Sequence, residues 1–98
     1  MTIQKTVDND TLTLMPEGRL DTITAPQLEG EIRSSSGGIK VLVFDLEKLV
    51  YISSAGLRVL LSAQKTMNKQ GTMLLRNVRP EIMEILEVTG FSDILTIE

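Results

Sequence analysis

Thr11-Leu12-Thr13-Leu14 alternates polar and apolar residues with a period of two. Together with Ile3 to Val7, across Asp8-Asn9-Asp10, this segment (Thr11 to Met15) predicts a β-hairpin that buries one face. Pro16 and Gly18 break the pattern. Thr24-Ala25-Pro26-Gln27 then has the spacing of a capping box with a proline in the first turn, so a helix is expected to start near Thr24. Its apolar stripe is Ala25, Leu28 and Ile32, and Ser34-Ser35-Ser36-Gly37-Gly38 ends it as a turn inside one domain.

Ile39 to Leu46 follows a different rule. Val41-Leu42-Val43-Phe44 is an uninterrupted β-rich apolar run, the pattern of a strand covered on both faces, bounded by Lys40 and Asp45. It is the predicted central strand. Leu49-Val50-Tyr51-Ile52 is a second short strand that must turn into a helix running from Ser54 to about Lys69. In that helix Leu57, Leu60, Leu61, Gln64 and Met67 fall near one face, Val59 and Ala63 broaden the stripe, and Gly71 is placed as the stop. Thr72 to Arg76 predicts a strand. Pro80 opens a helix with Ile82, Ile85 and Leu86 on one face and Gly90 just past its end, and Ile94-Leu95-Thr96-Ile97 predicts a last strand. The order β-β-α-β-(β)-α-β-α-β implies an α/β fold, a mixed and mostly parallel sheet with helices packed on it, as one domain over residues 1–98.

Composition narrows what such a domain does. With 98 residues, 42% of them hydrophobic, the chain builds one core and has little structure to spare for a deep enclosed active site. There are no Cys and no His, which removes thiol nucleophiles, Cys or His metal sites and any Ser-His-Asp arrangement. No cofactor is expected, and an enzyme using Ser54 as nucleophile would also lack a Gly-x-Ser-x-Gly elbow. Ten basic residues against thirteen acidic ones, scattered without a run, offer no footprint for nucleic acid. No stretch is long and apolar enough to insert in a membrane, and the N-terminus has no secretory pattern, so a cytoplasmic, non-enzymatic protein is expected.

The most informative tetrapeptide is Ser53-Ser54-Ala55-Gly56, between a short buried strand and a long amphipathic helix. Either serine is a good N-cap, and a cap alone would account for it. The very small residues Ala55 and Gly56 also leave a hydroxyl open to a large partner, at a helix start where phosphate is tolerated. A second candidate is the loop Gly18-Arg19-Leu20-Asp21-Thr22, in which Asp21 or Thr22 also has a structural reading as a helix cap.

The segments Val43-Phe44-Asp45-Leu46 and Leu49-Val50-Tyr51-Ile52-Ser53-Ser54-Ala55-Gly56-Leu57-Arg58-Val59-Leu60 resemble the signature of the bacterial anti-sigma factor antagonists, the single-domain form of the STAS fold. Gly18-Arg19-Leu20-Asp21-Thr22 resembles the family's second motif, and the likeness spans nearly the whole chain. That resemblance implies a partner-switching protein. Unphosphorylated, it would sequester an anti-sigma factor with serine kinase activity and so release a sigma factor; phosphorylation would end the binding, and a metal-dependent serine phosphatase would restore it. The family's usual core reads Asp-Ser-(Ser/Thr)-Gly, with phosphate on the serine after the acid. Ser54 holds that place, Ser53 replaces the acid and becomes a competing acceptor, and Ala55 replaces the second hydroxyl. Arg58 stands where some members have Gly, at i+4 from Ser54, within reach of a phosphate across one turn. The implied partner-binding residues are Asp21, Thr22, Ser53, Ser54, Gly56 and Arg58. The alternative is a STAS subunit that regulates a transporter or signalling complex without being phosphorylated.

Overall fold

The chain from Met1 to Glu98, described throughout by a computed structural model, forms β1 (Thr2–Asp8), β2 (Thr11–Leu20), α1 (Ala25–Ser35), β3 (Val41–Asp45), β4 (Leu49–Ile52), α2 (Ser54–Asn68), β5 (Thr72–Arg76) and α3 (Pro80–Val88), followed by a short 3-10 helix at Phe91–Asp93. The hairpin turns through Asn9-Asp10, with Asn9 at φ 55°, a left-handed conformation that a short polar side chain tolerates. The sheet order is β1-β2-β3-β5, with β4 beside the far end of β2. β1 and β2 are antiparallel, and the β2–β3, β3–β5 and β2–β4 pairings are parallel. The sheet is therefore mixed and mostly parallel, as expected.

Pro16 and Gly18 do not end the second strand, contrary to the sequence pattern. β2 changes partner along its length: Thr11 to Leu14 pair with β3, and Gly18 to Leu20 pair with β4. Pro16 lies in the gap between the two ladders, where a residue without an N–H is tolerated. Gly18, at φ 96°, takes up the register shift between the two pairings.

The predicted burial of the central strand holds, with Leu42, Val43 and Phe44 all buried in β3. α1 buries Ala25, Leu28 and Ile32 and packs on α2, which also packs on β4 and β5. On α2, Leu57, Val59, Leu60, Ala63 and Met67 are buried, whereas Leu61 is only half-buried at the margin of the stripe. α3 packs against β4 through Ile82 and Leu86. Gly90, at φ 82°, follows the C-cap Thr89 as expected.

Two expectations change. Gly71 is not a left-handed helix stop; Lys69 caps α2 in a right-handed conformation. The glycine is required because a Cβ there would collide with the Lys40 carbonyl oxygen, which accepts the Thr72 amide at 2.8 Å. The last strand, Ile94 to Ile97, shrinks to a bridge between Ile97 and Leu75. The amides of Ile94 and Leu95 both donate to the Phe91 carbonyl, at 3.0 and 2.9 Å, so only the final residues are left to pair with Leu75.

Candidate functional site

Leu20 and Ile52 are parallel neighbours at the C-terminal ends of β2 and β4, so the loops that follow them leave the sheet at the same edge. The Ser53 amide donates to the Leu20 carbonyl at 2.9 Å and holds the two exits together. Gly56 seats the first turn of α2 on this pair of strand ends. A Cβ there would lie 2.8 Å from both Leu20 Cγ and Ile52 Cγ1.

The two serines differ sharply. Ser53 is the N-cap residue, extended at φ −98° and ψ 177°, and its carbonyl accepts the Leu57 amide at 2.9 Å. Its hydroxyl makes no capping bond; Oγ is buried without a partner. Ser54 is the first residue of α2 and is exposed. Arg58, one turn later and also exposed, donates from Nε to the Ser54 carbonyl at 3.5 Å. It has no carboxylate partner, whereas Arg19, Arg33, Arg76 and Arg79 each have one.

The loop before α1 is held by side chains. Asp21 Oδ1 accepts the amides of Ile23 at 3.0 Å and Thr24 at 3.1 Å, while Thr24 Oγ1 accepts the Asp21 amide at 2.9 Å and donates to the Arg19 carbonyl at 2.7 Å. The expected Thr24 capping box is therefore not formed. Thr24 is already helical, its hydroxyl turns back into the loop, and the Gln27 side chain, which a capping box would turn back to the Thr24 amide, donates from Nε2 to the Met1 carbonyl at 2.7 Å. The Thr24 amide, helped by the Ile23 amide, the Thr24 hydroxyl and the Arg19 guanidinium, holds the Asp21 carboxyl below its ordinary value of 3.8. Arg19 also lies 4.0 Å from the centre of the Tyr51 ring, tying β2 to β4 a second time.

Thr22 is exposed and, with Glu29, Ala55 and Arg58, lines a groove of about 340 Å³ between the start of α1 and α2. The site residues thus separate into groups. Thr22 and Arg58 face one groove, Ser54 is exposed outside its lining, Ser53 Oγ and Gly56 are buried, and Asp21 is half-buried as the loop's hydrogen-bond centre. Ile23, absent from the sequence reading, is 87% exposed in this loop. The available signal was one large apolar residue between two threonines, with no periodicity to place it.

No three His, Cys, Asp or Glu residues converge to hold a metal ion, and no helix is long and apolar enough to cross a membrane. The arrangement offers surface chemistry: an accessible hydroxyl, an unpaired guanidinium and a rigid loop sharing one sheet edge.

Comparison with known proteins gives the same architecture a family. BtrV of Bordetella bronchiseptica is 37% identical over 83 residues, covering 83% of this chain and 72% of its own length. The anti-sigma-B factor antagonist of Listeria monocytogenes is 32% identical over 94 residues, covering 93% of this chain and 82% of its own. The phosphorylated form of the Bacillus cell fate determinant SpoIIAA shares the fold, with a TM-score of 0.76 at 19% identity over 99% of this chain and 91% of that one. The STAS domain family model matches residues 2–98, and the chain belongs to the STAS domain family.

Proposed function

We propose that this protein is an anti-sigma factor antagonist of the cytoplasm, a binding switch without catalytic activity, controlled by phosphorylation of Ser54. In the unphosphorylated state it sequesters an anti-sigma factor with serine kinase activity, which frees a sigma factor. The kinase transfers the γ-phosphoryl group of ATP to Ser54 Oγ, releasing ADP and the hydroxyl proton, and a metal-dependent serine phosphatase hydrolyses the ester. The relatives named as antagonists support this reading.

The observation that carries it is the contrast between adjacent hydroxyls, Ser54 exposed and Ser53 Oγ buried, beside the rigid Asp21 loop. A kinase can reach the first but not the second without unseating α2. A phosphate adds about −1.5 to −2 charges at the start of a helix, where that charge is favoured by about 0.3 to 1 kcal/mol, so the domain stays folded. The loss falls on the interface, where a strongly hydrated dianion replaces a small hydroxyl. A cost on the order of 4 kcal/mol weakens binding about a thousandfold, enough for an off state. Asp21, Thr22, Gly56 and Arg58 complete the proposed docking surface, with Gly56 acting through the seating of α2.

Calorimetric titration of the cognate anti-sigma kinase into the wild type and Ser54→Asp tests the reading. The wild type binds and Ser54→Asp, still folded, binds far more weakly; equal binding by the two contradicts it.

A further inference from the structure

Ile23 and Val88 are the most exposed large apolar side chains of the fold, at 87% and 81%. Their settings differ. Val88 ends α3, whereas Ile23 lies in the loop whose amides at Ile23 and Thr24 are both fixed on Asp21 Oδ1 and whose start is fixed by Thr24 Oγ1. The Ile23 backbone is therefore immobilised while its side chain is left in water. A β-branched side chain on such a backbone has little rotamer freedom to lose, so burying it against a partner costs little ordering entropy.

Position supplies the second argument. Ile23 is three residues beyond Leu20, whose carbonyl accepts the Ser53 amide, and three residues span at most about 11 Å. An interface of ordinary size covers about 800 Å² on each partner, so a protein docked over Ser54 has the reach to include Ile23. Its chain neighbour Thr22 lines the groove together with Arg58, whose guanidinium has no carboxylate partner, and Ile23 stands just outside that lining.

Building on the function proposed above, we infer that Ile23 is the apolar anchor of the docking face and inserts into an apolar socket of the anti-sigma kinase, a socket flanked by a carboxylate that meets Arg58. Full burial of an isoleucine corresponds to about ten- to a hundredfold in affinity.

The test compares Ile23→Ala with Val88→Ala, both removing an exposed apolar side chain, by calorimetric titration with the purified cognate anti-sigma kinase, and includes Ser54→Asp. Thermal unfolding and sedimentation of each variant are measured alone. The expected result is a dissociation constant raised about ten- to a hundredfold for Ile23→Ala, unchanged within twofold for Val88→Ala, with melting temperatures equal to the wild type. If Ile23→Ala binds like the wild type while Ser54→Asp does not, the anchor is wrong and the switch stands. If Ser54→Asp binds like the wild type while Ile23→Ala does not, the switch fails and the anchor stands; if both bind like the wild type, both fail. If the wild type sediments as a dimer that Ile23→Ala dissociates, the socket belongs to a second copy of the chain and the assignment to the kinase is overturned.

Discussion

Gly56 and Leu20 meet so closely that a Cβ on the glycine would stand 2.8 Å from Leu20 Cγ. The contact fixes the start of α2 on the end of β2 and thereby sets Ser54 beside the Asp21 loop. Gly56→Ala would gain at most about 1 kcal/mol of helix propensity, but the clash is with the Leu20 branch point Cγ and with Ile52 Cγ1, both in buried side chains, and costs about 1 to 3 kcal/mol in overpacking. The expected net effect is a loss of stability in urea unfolding; a variant more stable than the parent would contradict the close seating.

Leu60 is fully buried on α2, and Leu61 is half-buried beside it. Leu60→Ala should cost about 2 to 5 kcal/mol, a large part of the stability of a domain this small, and Leu61→Ala distinctly less. Chemical denaturation of the two variants orders them, and the reverse order would place the buried face of α2 wrongly.

Ser53 occupies the N-cap of α2 without using its hydroxyl, which is buried and unpaired. Loss of a working serine cap costs about 1 kcal/mol, but here the change removes an unsatisfied polar atom instead. Ser53→Ala should therefore be as stable as the wild type or slightly more so. A melting temperature several degrees lower would mean that the hydroxyl does cap the helix in solution.

Asp21 gives the fold a pH dependence of known sign. Its folded-state carboxyl titrates below its ordinary value because it accepts the Thr24 and Ile23 amides, so the unfolded chain binds its proton first as pH falls. The stability it contributes is present above the ordinary value near 3.8 and is lost as pH falls through the lowered folded value. Asp21→Asn should flatten that part of the acid dependence, measured by urea unfolding between about pH 5 and pH 2.5. Parallel acid curves for variant and wild type would remove Asp21 from the linkage.

Much of this architecture is legible in local pattern. The run Val41 to Phe44 announced a strand covered on both sides, and Ala25, Leu28 and Ile32 announced the buried stripe of α1. What escaped depends on contacts between distant segments. Pro16 reads as a strand breaker until β2 is seen passing from β3 to β4, and Gly71 reads as a helix stop until the Lys40 carbonyl arrives against it. Ile94 to Ile97 has strand composition, yet Phe91 captures two of its amides. In the candidate site, adjacent serines with equivalent local signals differ in accessibility through long-range contacts: the Ser53 amide docks on Leu20 and Gly56 seats α2 on Leu20 and Ile52, with Ser53 Oγ buried and Ser54 exposed.

The most direct measurement is mass-spectrometric localisation of phosphate after incubation with the cognate anti-sigma kinase and ATP. Wild type, Ser53→Ala and Ser54→Ala are compared, with partner binding measured on the same samples. One phosphate on Ser54 is expected in the wild type and in Ser53→Ala, none in Ser54→Ala, and binding should be lost only where phosphate is found. Phosphate on Ser53, on neither serine, or on Ser54 without loss of binding would contradict the switch.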